Sequence, residues 1–349
     1  MRAVQLTDWG QAPVVRDIDD PLPTGAELLL DVTAAGLCLS DIHVMNTADG
    51  VFDYPLPQTL GHEVAGTVAG VGPDADPVWI GQSVVVHGIW SCGYCRNCHR
   101  GRQNYCLRLN RQPDGRLPRI GNGLGYPGGL AERMLVPSES VLVATGDLDP
   151  MLAAPLADAG LTAYHALRTN RDLIDGSAVV MVIGIGGLGH MAVQILRALG
   201  AGTIIAIDQR ESARALAITL GAASAHASVD DALDEILGLG GADLVVDFAG
   251  APATVEPATG TLGPGGRIVI VGTAGGRLTV GKDIGLTSGW QVNAPFWGTR
   301  EDLAAVVALA RDGHLDAETV PVGLDDVPEA YRRLHRGDLI GRAVMVPHQ

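Results

Sequence analysis

The sequence predicts a two-domain α/β protein, with a six-stranded doubly wound parallel sheet joined to a β-rich domain of short antiparallel strands. Three observations carry this. At 349 residues the chain is longer than a single core usually grows. Its first 90 residues break into short apolar or alternating runs separated by Gly, Pro and Asp. From Ala178 onward, unbroken apolar runs alternate with helical patterns instead.

In the first part, Leu28–Val32, Val64–Val68 and Ser83–Val86 read as strands of an antiparallel sheet curled toward a barrel, with turns such as Pro21-Leu22-Pro23-Thr24-Gly25 between them. Cys38, Ser40, Asp41, His43, His62 and Glu63 fall on its connections, where catalytic groups are disproportionately found. A thiol, an imidazole and several carboxylates this close, with no other Cys before position 92, point to a metal site rather than a disulfide framework.

Cys92, Cys95, Cys98 and Cys106 form a C-x2-C-x2-C-x7-C array, able to close a tetrahedral sulfur shell around one ion. The rival is an iron–sulfur cluster, but the bacterial ferredoxin pattern continues C-x3-C-P and this array does not. Four protein ligands leave no position for substrate, so the site reads as structural, with His99 a solvated neighbour. The glycine cluster Gly121–Gly129 lacks a following helix signature and reads as a flexible connection. Asp149-Pro150 opens a helix.

Ala178–Ile183 is apolar without alternation, as expected of a strand buried on both faces. Gly184-Ile185-Gly186-Gly187-Leu188-Gly189 follows, then a helical pattern, and Thr203–Ile207 ends in Asp208. Glycines between strand and helix let the backbone turn tightly and approach a pyrophosphate, and an acid at the next strand end can accept from a ribose 2′-hydroxyl. NAD is favoured over NADP, with Arg210 leaving NADP open. Strands at 223–227, 243–247, 267–271 and 290–294 complete six. The helix Glu301–Ala310 and the short segments to Gln349 are too small for a separate domain and should return to the first.

Composition narrows the partners. A formal net charge of −15 without a Lys/Arg cluster excludes phosphate-backbone binding, so nucleic acid is not expected. No apolar run of membrane-spanning length is present, and the Met1–Asp8 start lacks an apolar signal core, so the expected location is cytoplasmic and off the membrane. Five cysteines, four of them crowded together, suit metal ligation in a reducing compartment.

Taken in chain order, Gly36–His43, Gly61-His62-Glu63, the four-cysteine array, Pro155–Tyr164 and Gly184–Gly189 resemble the zinc-containing medium-chain alcohol dehydrogenases over essentially the whole length. The resemblance implies a GroES-like catalytic domain at 1–158, a Rossmann domain at 159–296 and a C-terminal return at 297–349. It implies two zinc ions per chain and NAD(H). Cys38, His62 and Asp158 would hold the catalytic zinc, Asp158 standing where many members have cysteine. Glu63 would be the acid beside the metal, Asp41 the acid orienting His62, and Ser40 and His43 a proton relay. Thr162 would pack beside the nicotinamide and Arg342 would meet the pyrophosphate. Leu39 departs from the basic or polar residue of several members, and loss of that charge would speed cofactor release. Tyr54, Trp90, Leu124, Phe296 and Trp297, with Phe52 and Tyr126, are the candidate walls of a substrate pocket for an alcohol, ketone or aldehyde, best an apolar secondary alcohol. The alternatives are a polyol or sugar dehydrogenase of the same fold and an inactive dinucleotide-binding regulator. The family commonly forms dimers or tetramers, so a homo-oligomer is expected.

Overall fold

The computed structural model describes residues 1–281, 289–339 and 341–348. The chain divides into two compact units. One comprises Met1–Leu161, Thr299–Arg311 and Ala317–Gln349, and the other Thr162–Gly298 and Asp312–Asp316.

The second unit is a parallel sheet in the order Ser224–His226, Thr203–Ile207, Val179–Ile183, Ala242–Asp247, Leu262–Ile270, Gln291–Asn293. Numbered along the chain this is 3-2-1-4-5-6, the doubly wound order in which the sequence turns back on either side of its first strand. Val179–Ile183 lies at the centre and is buried at every position, which explains its lack of alternation.

The first unit is built on Leu28–Gly36. This strand pairs antiparallel with Glu63–Val71 and with Arg133–Val136, and at its far end with Arg342–Val346. Apolar side chains from these strands, among them Leu28, Leu30, Val64, Val68, Met134 and Met345, form one core. The register sets the chemistry. Gly36 stands opposite both Glu63 and Val344. Residues just past the end of one strand therefore lie beside residues at or just before the start of its two neighbours. Cys38, His62 and Arg342 come from those three places.

Two expectations need correction. Ser40, Asp41 and His43 are not on an irregular connection but on a helix, Leu39–Met45. Asp41 starts it, because its carboxylate accepts the Cys38 backbone N–H at 3.0 Å, as one half of a capping box. Nor is the glycine cluster a loose connection, since Gly121–Gly125, Gly128 and Gly129 are all buried. Gly128 N donates to Thr59 O at 2.9 Å, Gly129 N to Gly61 O at 3.0 Å and Leu130 N to Leu60 O at 2.9 Å. A Cβ on Gly128 would sit 2.3 Å from Leu60 O. The glycines let two backbones touch, and the clamped segment is the one that carries His62.

Gly61 is confined twice over. Its φ is +96°, where a side chain strains the backbone, and a Cβ there would lie 2.7 Å from Leu130 N. Gly61→Ala is expected to cost about 1–3 kcal/mol, the usual range for overpacking. Urea unfolding of the metal-free protein, followed by the Trp signal, reads the loss, and an unshifted midpoint would refute the clamp.

Candidate active site and metal centres

Cys38, His62, Glu63 and Asp158 are buried and offer a thiol, an imidazole nitrogen and two carboxylates, their ligand atoms all within 4.8 Å of one another. Asp158 Oδ2 is 3.5 Å from Cys38 Sγ and 3.5 Å from His62 Nε2. Its position depends on a local irregularity. The helices Pro150–Pro155 and Leu161–Arg168 are joined by a π-helical turn, Leu156–Gly160, in which Asp158 sits. Such widened turns recur at functional sites because the extra residue re-aims a side chain without ending the helix.

His62 is aimed by Asp41, whose Oδ1 accepts its Nδ1–H at 3.0 Å and so turns Nε2 toward Cys38 and Asp158. Asp41 Oδ2 takes the Cys38 N–H and the Tyr331 hydroxyl, the latter at 2.8 Å. Burial disfavours the His62 imidazolium, but Asp41 and Asp158 together raise its pKa well above the ordinary value.

Glu63 is also fully buried; burial drives its carboxyl upward, and the Arg342 guanidinium in contact with it opposes this and favours the carboxylate. Both of its oxygens are taken by Arg342, with Nε donating to Oε2 at 2.9 Å and Nη2 to Oε1. The Arg342 Nη2 also lies 3.4 Å from Asp158 Oδ2 and 3.7 Å from Cys38 Sγ. Arg342, read from the sequence as a pyrophosphate contact, is thus placed in the metal cluster as the counter-charge of Glu63. A Cβ on Gly36 would come 2.0 Å from Glu63 Oε2, so the carboxylate fits only because residue 36 has no side chain.

The four remaining cysteines form a second cluster with no disulfide among them. Cys92 and Cys98 sulfurs are 3.9 Å apart, and those of Cys95 and Cys98 are 3.5 Å apart. A tetrahedral shell with Zn–S near 2.3 Å separates its sulfurs by about 3.8 Å, so the spacing fits that ion. Backbone N–H groups aim inward as well, from Cys92 to Cys106 Sγ at 3.4 Å and from Leu107 to Cys95 Sγ at 3.5 Å. The Leu107 and Cys98 amides push the Cys95 thiol down to about 6, whereas burial pushes Cys106 up to about 12.

In the second unit, the glycine loop runs from Val179–Ile183 into the helix Gly189–Ala198. Gly184 has a φ of +85°, and a Cβ on Gly189 would stand 2.0 Å from Gly184 O. At Gly186 a Cβ would meet only Arg210 Nη2, at 4.0 Å, which leaves open space over the loop of the kind a diphosphate fills. Gly187 and Leu188 complete the turn. Asp208 Oδ2 accepts the Ile185 N–H at 2.9 Å, tying the second strand end to this loop. Arg210 pairs with the same carboxylate at 3.0 Å and, despite the opposing effect of burial, holds it below the usual range.

Comparison with known proteins converges on one family. Residues 24–146 match the alcohol dehydrogenase GroES-like domain, and residues 187–312 match the zinc-binding dehydrogenase domain. An NAD-dependent alcohol dehydrogenase of Sulfurisphaera tokodaii is 33% identical, over 99% of this chain and 100% of its own length. The chain belongs to the zinc-binding alcohol dehydrogenases. A D-arabinose 1-dehydrogenase (NADP(+)) of Saccharolobus solfataricus is also 33% identical, over 99% of this dehydrogenase and 97% of its own chain. The structure of an acetophenone reductase from Geotrichum candidum in complex with NAD superposes with a TM-score of 0.85 at 31% identity, covering 99% of this chain and 97% of that one.

The other expected residues of this dehydrogenase are distributed as follows. Ser40 is exposed, with Oγ 3.5 Å from Cys38 Sγ, and His43 is exposed one helical turn further on. Leu39 is 59% exposed. Thr162 is buried at the start of the second unit. Phe52 and Tyr54 stack with centroids 4.6 Å apart, and Leu124 is buried in the glycine cluster. Burial pushes the Tyr54 phenol well above its ordinary range, against the opposing effect of the His62 imidazole. Trp90 and Tyr126 meet at a tilt with ring centroids 4.9 Å apart, but they border a cavity of about 590 Å³ whose lining includes none of the metal-cluster residues. In the second unit Phe296 is exposed, and Trp297 is buried with a φ of +52°, unusual for a bulky side chain. Tyr331 had no sequence signal, since nothing in Val327–Arg336 marks one buried helical Tyr as different from core.

Purified protein should hold two zinc ions per chain by atomic absorption. Cys38→Ala and Asp158→Ala should each lower this to one, and Cys95→Ser should remove the other ion without changing the ligands of the first. Wild-type protein with a single zinc would count against the pair of centres.

Proposed function

We propose that this dehydrogenase interconverts apolar secondary alcohols and ketones with NAD(H), through a catalytic zinc held by Cys38, His62 and Asp158. The observation that carries this reading is the occupation of Glu63. With both its oxygens on Arg342, Cys38, His62 and Asp158 are the donors that would hold a zinc ion, leaving it a position for the substrate oxygen. When bound, zinc polarises the substrate oxygen and the nicotinamide exchanges hydride with the carbinol carbon.

The chain's own residues supply the rest. Asp41 takes the Nδ1–H of His62, so Nε2 is the nitrogen that would give up its proton and turn its lone pair to the metal. Arg342 balances Glu63, sparing the cluster an uncompensated buried carboxylate. The Ser40 hydroxyl, beside Cys38 and open to solvent, can accept the alcohol proton while releasing its own. His43 lies three residues along the same helix, hence on the same face, and can pass the proton to water. Cys92, Cys95, Cys98 and Cys106 hold a structural zinc, having no ligand position to spare.

Support for an apolar substrate comes from the Phe52–Tyr54 stack, Leu124 and the acetophenone reductase neighbour. The D-arabinose 1-dehydrogenase relative supports the polyol or sugar alternative. Comparing kcat/KM for 2-alkanols and 1-phenylethanol with that for sorbitol and D-arabinose separates the two. The apolar alcohols should lead by at least ten-fold, and the reverse order would overturn the substrate class.

For the cofactor, the Asp208 carboxylate favours a ribose 2′-hydroxyl and repels a 2′-phosphate. Asp208→Gly would also release Arg210 from its ion pair. The NADP/NAD ratio of kcat/KM should then rise about ten-fold or more, and an unchanged ratio would place cofactor choice elsewhere.

A further inference from the structure

We propose that Tyr331 is a positioning residue for the catalytic metal centre, acting through Asp41 to hold Cys38 and His62 in ligating geometry. The inference rests on the zinc reading above and extends it to a residue from the far end of the chain, 290 positions from Asp41.

Tyr331 belongs to the helix Val327–Arg336 and is 3% exposed. Its ring packs in the same core as Leu37, Ile42 and Met45, which flank or form the Cys38 turn and the helix after it. Its hydroxyl leaves that apolar setting only to donate to Asp41 Oδ2 at 2.8 Å. Asp41 is fully buried and receives three donors, Tyr331 Oη and Cys38 N on Oδ2, and His62 Nδ1 on Oδ1.

Geometry gives each donor a task. The terminal torsion of an Asp side chain is broad, so one hydrogen bond does not fix the plane of its carboxylate. Two donors converging on Oδ2 from different elements do fix it, and Oδ1 is then presented to His62. The Cys38 N–H alone cannot do this, because it moves with the ligand loop that needs to be held. Tyr331 supplies the independent anchor. Burial and the neighbouring carboxylate keep the phenol protonated far beyond its ordinary range, so it remains a donor throughout the working pH range.

Removing a partner of this kind from a zinc ligand's support typically lowers metal affinity by about 10–100-fold. Tyr331→Phe keeps the ring in the core and deletes one oxygen, which separates packing from positioning. The experiment challenges zinc-loaded holoenzyme with excess dipicolinate and follows release of each ion with a metal indicator. Zinc should leave the Cys38 site of Tyr331→Phe about ten-fold faster than in wild type, while release from the four-cysteine site stays the same. With cobalt(II) in the Cys38 site, the thiolate charge-transfer band should shift in the variant. The double variant Asp41→Asn/Tyr331→Phe should lose metal no faster than Asp41→Asn alone, because both changes act through one carboxylate.

Unchanged release from Tyr331→Phe, equal acceleration at both sites, or additive losses in the double variant would each overturn the proposal. If Tyr331→Phe does not fold, the cobalt spectrum of Tyr331→His, which retains a ring and a donor, must stay close to wild type for the proposal to stand. Wild-type protein that binds only the four-cysteine zinc would instead overturn the zinc reading, and this inference with it.

Discussion

The pairing of Leu28–Gly36 with strands on both sides is the constraint from which the active site follows. Its two antiparallel neighbours begin where it ends, so three distant stretches of sequence are brought to one edge. The residues there need no long loops to reach one another. Cys38, His62 and Arg342 each lie within two positions of a paired strand residue, and the sheet's hydrogen bonds hold them at a spacing an ion can bridge. A one-residue slip in either ladder would send alternate side chains to the other face and scatter the donors.

Charge is balanced over the cluster rather than in pairs. Cys38, Asp158, Glu63 and Asp41 gather in a site closed to water, with Arg342 as the cation in contact with three of them. Ionised groups buried in this way are costly unless each meets a counter-charge or several donors. Arg342 meets that need for Glu63 and partly for Asp158, and Asp41 is satisfied by three hydrogen bonds. A divalent ion held by Cys38, His62 and Asp158, as proposed above, would settle what is left and account for a donor set that is richer in acids than in bases.

Much of this was legible in the sequence, for physical reasons. Buried parallel strands cannot alternate, so Val179–Ile183 and its successors declared the doubly wound sheet, and the glycine turn after the first of them marked the dinucleotide end. Cysteine spacing is short-range information, so the four-thiol lobe could be read directly. Asp158 was reached only through family resemblance, because its place depends on a π turn that no periodicity announces. The glycine cluster reads as a flexible connection for a related reason. Glycine marks a turn and a close backbone approach alike, and only the facing segment at Leu60 and Gly61 tells which. Arg342 and Tyr331 owe their surroundings to contacts hundreds of residues away, beyond the reach of any local pattern.

The four-cysteine lobe differs in kind from the sheets it accompanies. Between Cys92 and Asn110 the backbone makes only three-residue turns, and of these residues only Cys106 and Asn104 are well buried. With so little apolar burial, a zinc ion held by its four cysteines would supply most of its order, and its stability would then follow mass action in free zinc. The sheets answer to temperature and denaturant, the lobe to the metal-buffering capacity of its surroundings. One chain would thus carry two thermodynamic reservoirs, and a change in zinc activity would loosen the second while leaving the first intact.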